Sequence, residues 1–413
     1  MGINPDDVDV NVTSTIDTID ESDLKCGEAG GEEVTVSLAC CTITGSFREG
    51  SRHGHCVVTF REGKVEQISG EYRQGKLHGA VRVKFRDKTL LVGYFKSGVL
   101  HGFARYFDGA GRLKFLGDHS NGVARGVCWE IIQGGGCVVG PVDGEGRHTG
   151  DNILYLYPDF TTGYLGTFRA GEFLSGRPAR LTSCYTDTAG ILVPVLTLLS
   201  STTHTRRVGQ FGSVQDPEAR LTDPYEDRNV FVAQSGLAGA QEGLFARRSL
   251  EIHQVIAFYN GEKVRPGQAQ SDSWDDNSYK IFDPSDFPLG SIDIPSWAQV
   301  NVMFGIKKYR ENILTQSTAA YSATLAHKTN HSFRPNCEFV EFSHPKYGVI
   351  PCLLTTRDIP RGHEVGSNTD IYPLKLTSKY SQIFVSYGYD VSESPVWFQD
   401  LWRQYNSGSP AGQ

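Results

Sequence analysis

GEYRQGKLHG (residues 70–79) and GYFKSGVLHG (residues 93–102) repeat one pattern: Gly at the first, sixth and tenth positions, with Leu-His before the last. Ala80-Val81-Arg82-Val83-Lys84-Phe85, directly after the first copy, alternates apolar and polar residues. Alternation on either side of a Gly-containing turn predicts a β-hairpin, because successive strand side chains point to opposite faces. The spacing extends in both directions, as Gly45-Gly50-Gly54, Gly117-Gly122-Gly126 and Gly166-Gly171-Gly176, with Gly140 opening a degenerate fifth copy. Copies begin every 23 to 26 residues. A unit that short cannot bury its own apolar face, so neighbouring units must stack. The expected product is a mainly β fold in which the glycines serve as turn residues. Gly134-Gly135-Gly136 is not read as a phosphate loop, since no helical pattern follows it.

The chain has 413 residues, enough for two or three domains, and its 46 glycines are accounted for by the repeats. A net charge of −7 argues against bulk nucleic-acid binding and suits a basic partner. Nine cysteines with no C-x-x-C spacing read as scattered reduced thiols of an intracellular protein. No long apolar run, basic n-region or h-region occurs, so neither secretion nor membrane spanning is expected. Met1-Gly2 invites N-terminal acylation, but Asp6 stands where Ser or Thr is required. Residues 1–38 carry Asp6, Asp7, Asp9, Asp17, Asp20, Glu21 and Asp23 against Lys25 alone, the composition of a solvated acidic tail.

Beyond the repeats, Ile191 to Leu199 is an apolar run. It gives way to Ser/Thr-rich, charged sequence ending at Asp223-Pro224-Tyr225-Glu226, read as a strand or two and then a linker. Val255-Ile256-Ala257-Phe258-Tyr259 is a strand running into an Asn260-Gly261 turn. LAHKTNHSFRPNC (325–337) has the turn chemistry of a bent, polar-lined loop rather than a helix. Strands dominate, and one helix is expected at the end, where Val396, Trp397, Leu401 and Tyr405 fall at helical spacing within Pro395–Tyr405. His327 and His331, four apart with Cys337 nearby, imitate half a zinc site, but the turn residues between them spoil the helix such spacing needs. Tyr259 and Tyr387, taken singly, read as half-buried strand tyrosines.

The repeats resemble MORN repeats. The order DPYE, EGLF, FYNG, HKTNHSFRPNC, HPKYG and YGYD (387–390) resembles the SET-domain protein lysine methyltransferases, specifically the MORN-repeat type that monomethylates lysine 4 of histone H3 and lysines of other proteins. The resemblance covers about residues 45 to 405. It implies an acidic tail (1–38), a MORN-repeat β-hairpin sheet (39–180), strands and a linker (181–228), a SET-domain β fold (229–390), and a C-terminal helix and tail (391–413). S-Adenosyl-L-methionine is the implied cofactor, with Ala240, Gln241, Glu242, Asn330, His331 and Trp397 around it. Tyr387, Tyr259 and His331 are the implied catalytic residues, and Tyr259, Lys328, Phe339, Tyr387 and Tyr389 line the lysine channel. The implied partners are the histone H3 tail and other lysine-bearing proteins, without direct nucleic-acid or membrane binding, for a monomer residing in the nucleus and also in the cytoplasm. No post-SET cysteine cluster follows Tyr389, so no metal is expected. The rival reading is a catalytically impaired scaffold that binds partners or anionic lipid.

Three departures qualify the resemblance. Phe339 stands where the monomethylating relatives carry Tyr, which implies room for more than one methyl. Pro351 replaces a family lysine that contacts the substrate peptide, and the family's channel-mouth acid has no clear match beyond Gln270 or Asp272. Val300–Gln316 and Val365–Gln382 interrupt the family spacing; each begins with Val and ends with Gln, as a retained in-frame intron would. They are read as such introns or gene-model errors, against genuine surface-loop insertions.

Overall fold

The computed structural model describes residues 34–132, 134–186, 188, 192–206, 223–235, 242–260, 262–264, 281–282, 291–293, 324–331, 335–361, 382–385, 399–400 and 402–403; at 262–264, 281–282, 291–293, 331 and 382–385 the description is of backbone alone. The chain is mainly β and divides into two compact units, Met1–Thr203 and His204–Gln413.

In the first unit fourteen strands follow one another as antiparallel neighbours in sequence order. They are β1 (Val34–Ser37), β2 (Cys41–Arg48), β3 (Ser51–Phe60), β4 (Val65–Arg73), β5 (Lys76–Phe85), β6 (Leu90–Lys96), β7 (Val99–Phe107) and β8 (Leu113–Ser120), then β9 (Val123–Ile132), β10 (Gly136–Pro141), β11 (Gly150–Leu156), β12 (Thr162–Arg169), β13 (Glu172–Thr186) and β14 (Leu192–Leu198). Strand β5 shows why: Leu77, Val81, Val83 and Phe85 are buried while the intervening Arg82 and Lys84 are exposed. One face of the hairpins is thereby lined by Ile43, Val58, Ile68, Leu77, Val83, Leu91 and Leu100, each fully buried, in one continuous core.

The first and middle glycines of a copy have different physical roles, which corrects the expectation that all of them turn the chain. The middle glycine of each copy does turn it. Gln74-Gly75, Ser97-Gly98, Asn121-Gly122 and Ala170-Gly171 all have positive φ at both positions. That is the two-residue turn whose twist matches the flanking strands. The first glycine of each copy lies inside a strand and is required by packing. A Cβ at Gly117 would stand 2.4 Å from the Cys128 sulfur, and one at Gly166 would stand 2.0 Å from the Ser175 carbonyl oxygen. The degenerate fifth copy, β10–β11, replaces the two-residue turn with residues 142–149, where the Asp143 carboxylate accepts the backbone N–H of Glu145 and of Arg147.

The second unit holds β15 (His204–Thr205), α1 (Pro224–Asn229), β16 (Val230–Gln234), β17 (Glu242–Ala246), β18 (Val255–Phe258), β19 (Glu262–Val264), β20 (Ile281–Phe282) and β21 (Ser291–Asp293). A 3-10 turn (Leu325–Lys328) then leads to β22 (Asn330–His331), β23 (Cys337–His344), β24 (Gly348–Thr355) and β25 (Gln382–Val385). Its main sheet runs β16-β17-β25-β23-β24-β18, with β22 also on β25, and β19-β21-β20 forms a small separate sheet. The bent loop expected at 325–337 is the 3-10 turn followed by the two-residue strand β22. Asp223-Pro224-Tyr225-Glu226, read as the end of a linker, instead builds a buried helix start. The Asp223 carboxylate accepts the Tyr225 and Glu226 N–H groups, and Pro occupies the first helical position, where its missing N–H costs nothing. The C-terminal helix expected over Pro395–Tyr405 is not shown; most of that stretch lies outside the described residues. So does all of Val300–Gln316, and of Val365–Gln382 only Gln382, the first residue of β25, is described.

Candidate active site

Strand β25 collects the segments that the sequence singled out. Leu244 and Phe245 of β17 pair with Ile383 and Gln382; Asn330 and His331 of β22 run parallel to it opposite Phe384 and Val385; Cys337 of β23 also pairs with Val385. Segments 242–246, 330–331 and 337–339, separated by up to about a hundred residues in sequence, therefore meet around four residues of backbone. Tyr387 follows two residues after β25.

Two groups of side chains form near this junction. In the first, Lys328 Nζ lies 2.8 Å from Glu242 Oε2, and the side chains are only 8% and 12% exposed. Asn330 Nδ2 donates to Ser235 Oγ and to the Glu242 carbonyl, both at 3.1 Å, which holds β22 against the start of β17. The buried His327 next to Lys328 has its Nδ1 at the Thr324 carbonyl oxygen. Burial, with the neighbouring Lys328 charge second, pushes its pKa down to about 3, so its ring is neutral at physiological pH. In the second group the fully buried Tyr259 meets Phe339 edge to face, ring centroids 5.5 Å apart at 87°. Tyr259 is delivered by β18, whose Val255, Ile256, Ala257 and Phe258 are all buried, and its own N–H donates to the Pro351 carbonyl. Pro351 is thus an inward part of β24 that supplies the acceptor for this strand end. Cys337, at the start of β23, is buried, and burial raises its thiol pKa above the ordinary range.

Of the expected site residues, Glu242, Lys328 and Asn330 are brought together, Tyr259 and Phe339 are brought together, and His331 enters by its backbone in β22. Ala240, Gln241, Tyr387, Tyr389 and Trp397 lie outside the described residues, as do Gln270 and Asp272.

A polar cluster missed in the sequence lies behind these groups. Glu226 Oε1 accepts the Phe258 N–H at 2.7 Å and the Leu325 N–H at 3.1 Å. Asp223 Oδ2 is 3.3 Å from His344 Nε2, and Lys346 Nζ is 3.2 Å from His204 Nδ1, with all four residues buried. Burial, then the Asp223 charge, raises the Glu226 pKa to about 8. Burial lowers those of His204, to about 4, and His344. The Asp-Pro dipeptide was a helix-start signal that could have revealed this cluster.

A β17 that begins on a site carboxylate and a β22 reading Asn-His, both held by one later strand, define a class. Residues 241–368 match the SET domain family model, and residues 119–189 match the model described as histone H3 K4-specific methyltransferase SET7 N-terminal. The chain is thus similar to SET domains over residues 241–368 and to the SET7 N-terminal type over residues 119–189. Among curated proteins, "Histone-lysine N-methyltransferase SETD7" of Halocynthia roretzi is 32% identical over 259 residues, which cover 63% of this chain and 62% of that protein. The chain thus spans less than two thirds of that relative's length. Two solved structures also align. "ctPRC2 in an autoinhibited conformation bound to S-adenosylmethionine" does so at 16% identity over 43% of this chain and 17% of that one, with a TM-score of 0.25. "Humanized mutant of the Chaetomium thermophilum Polycomb Repressive Complex 2 bound to the inhibitor GSK126" does so at 15% identity over 39% and 15%, also with a TM-score of 0.25.

Proposed function

We propose that the chain is an S-adenosylmethionine-dependent protein lysine N-methyltransferase that acts in the nucleus on lysine 4 of histone H3 and on lysines of other proteins. The observation that carries this reading is the meeting of β17, β22 and β23 on β25. It sets the Glu242–Lys328–Asn330 group and the Phe339 strand around the backbone that runs on to Tyr387.

The residues fit the cofactor's chemistry. Glu242 offers a carboxylate beside Lys328, suited to an amino-acid moiety that carries both charges. The two bonds from Asn330 Nδ2 fix the orientation of its amide. Glu242, Asn330, His331 and, from the undescribed segments, Ala240, Gln241 and Trp397 would hold S-adenosylmethionine. When bound, it supplies an electrophilic methyl on a sulfonium.

The protein's share is positioning. The target amine must reach that methyl in line and without its proton, since only the neutral nitrogen has a lone pair to form the N–C bond as the S–C bond breaks. Enclosure lowers the amine's pKa by desolvation, so its proton leaves to solvent before transfer. Tyr259, fully buried and braced edge-on by Phe339, is suited to orient the amine through its hydroxyl, and Tyr387, outside the described residues, takes the catalytic role by its motif. Lys328, held by Glu242, and Tyr389 complete the channel. Because Phe339 carries no hydroxyl, the amine retains room to rotate and accept further methyls. Pro351, whose carbonyl is taken by Tyr259, contributes no side-chain charge to peptide recognition.

A second reading is a catalytically impaired scaffold that binds partners or anionic lipid. It is favoured by 365–382 running directly into β25, where a displacement of about 1 Å costs on the order of 100-fold in rate. The test is methyl transfer from labelled S-adenosylmethionine to a histone H3 N-terminal peptide, by the whole chain and by a form lacking 300–316 and 365–382. Transfer by either form supports the enzyme; no transfer and no cofactor binding by both hands the case to the scaffold.

A further inference from the structure

We propose that Glu226 is a positioning residue for methyl transfer, its single carboxyl oxygen tying the strand that delivers Tyr259 to the turn that opens into Lys328 and Asn330. The proposal rests on the methyltransferase reading of the site. Its structural basis is one atom with two donors: Glu226 Oε1 accepts the N–H of Phe258 at the end of β18 and the N–H of Leu325 at the start of the 3-10 turn. Phe258 immediately precedes Tyr259. Leu325 begins the turn whose last residue, Lys328, pairs with Glu242, and Asn330 follows two residues later.

A second tie runs alongside it: Asn260 donates to Thr324 Oγ1 at 2.6 Å, and Thr324 donates from its own N–H to the Asn260 carbonyl at 3.3 Å. The two segments meet end to end and not along a ladder, since the ladder of β18 is with β24. Glu226 supplies one acceptor to two donors, the Phe258 and Leu325 N–H groups, and its loss removes that shared acceptor from both segments at once. Two donors cannot bond each other, so a bridging acceptor is required.

Glu226 is itself held through both its backbone and its side chain. Its N–H donates to the Asp223 carboxylate at the helix start, and its side chain is buried with its Oε1 on the Phe258 N–H of β18. Tyr225 in turn donates its hydroxyl to the Val255 carbonyl at the other end of β18. Helix α1 therefore grips β18 at both ends, at Val255 through Tyr225 and at Phe258 through Glu226. Burial and the nearby Asp223 charge raise the Glu226 pKa, which agrees with a carboxyl used as a neutral hydrogen-bond acceptor more than as a counter-ion. A glutamine, with a carbonyl oxygen in the same place, should then replace it.

The experiment compares the whole chain with E226L, which keeps bulk but has no acceptor, and E226Q, which keeps the acceptor. S-Adenosylmethionine and a histone H3 N-terminal peptide are the probes, kcat and KM are measured separately, and amide hydrogen exchange is followed over 255–260 and 324–330. E226L is expected to exchange faster in both segments and to lose about 10- to 100-fold in kcat, with peptide KM changed less than about threefold. E226Q is expected to recover slow exchange and most of kcat. A merely structural role would lower the active fraction of protein without this recovery pattern. Wild-type kcat in E226L overturns the proposal, as does an E226Q as deficient as E226L. Should E226L not fold, E226D serves instead: its shorter arm withdraws the oxygen and is expected to lose kcat likewise, and an unimpaired E226D refutes the bridge. No methyl transfer and no cofactor binding, by the whole chain and by the form lacking 300–316 and 365–382 alike, defeats the methyltransferase reading and the proposal with it. An active wild type beside an equally active E226L defeats the proposal alone.

Discussion

Replacing Lys328 with methionine should destabilise the second unit far more than removing both partners of its ion pair. Lys328 Nζ and Glu242 Oε2 are 2.8 Å apart with side chains 8% and 12% exposed. At an effective dielectric of about 20 the bare attraction is roughly 6 kcal/mol. Desolvating two ions costs several kcal/mol each, so the intact pair contributes little net stability. K328M removes the attraction but leaves the Glu242 carboxylate buried, which should cost about 3–5 kcal/mol. K328M/E242Q removes both charges and should recover most of that, leaving a deficit of about 1 kcal/mol. Urea unfolding followed by tryptophan fluorescence reads this unit, because Trp274, Trp297, Trp397 and Trp402 lie in it and only Trp129 lies in the first. A K328M loss under about 1 kcal/mol, or a double variant as unstable as K328M, would refute the reasoning that this is a buried, mutually dependent pair.

Two further outcomes are expected. F339Y should confine the product to one added methyl where the wild type adds a second, because the new hydroxyl enters the space beside Tyr259; intact-mass analysis of the peptide decides it, and a wild type that stops at one methyl removes the premise. The first unit should weaken in mild acid, since burial lowers the pKa of His119 and of His148 from 6.5 to about 4. A base whose folded pKa is depressed binds protons more readily when unfolded, so its contribution is complete above pH 6.5 and is lost as pH falls toward 4. By pH 5 each histidine should cost about 2 kcal/mol, and H119F, whose ring would sit with Tyr106 and Phe115, should remove one such share. Urea midpoints at pH 8 and pH 5 that do not move would contradict this.

Much of the first unit was legible because its information is local. A hairpin needs alternation and a turn whose glycine accepts positive φ, and both recur within a dozen residues, as at Tyr72 to Val83. The role of the other glycines was not legible in this way. Gly117 must be Gly because Cys128 comes within 2.4 Å of its missing Cβ, a fact set by the neighbouring strand. The Asp223–Glu226 segment was misjudged for a similar reason: its helix start was signalled by Asp-Pro, but its burial depends on β18 and the 325–328 turn closing over it.

By itself the sequence determined which residue types the site has to work with and the order in which they arrive: a carboxylate at 242, tyrosine at 259, Lys-Thr-Asn-His at 328–331, phenylalanine at 339. Motif order is a property of the chain and survives without coordinates. Which of them touch was decided only by tertiary structure. The pairing of Glu242 with Lys328, the edge-on meeting of Tyr259 with Phe339, and the double grip of Glu226 join residues 32 to 99 positions apart. Contacts at that separation are chosen by which strands share β25 and β24 and by how completely water is excluded between them. No local propensity encodes either.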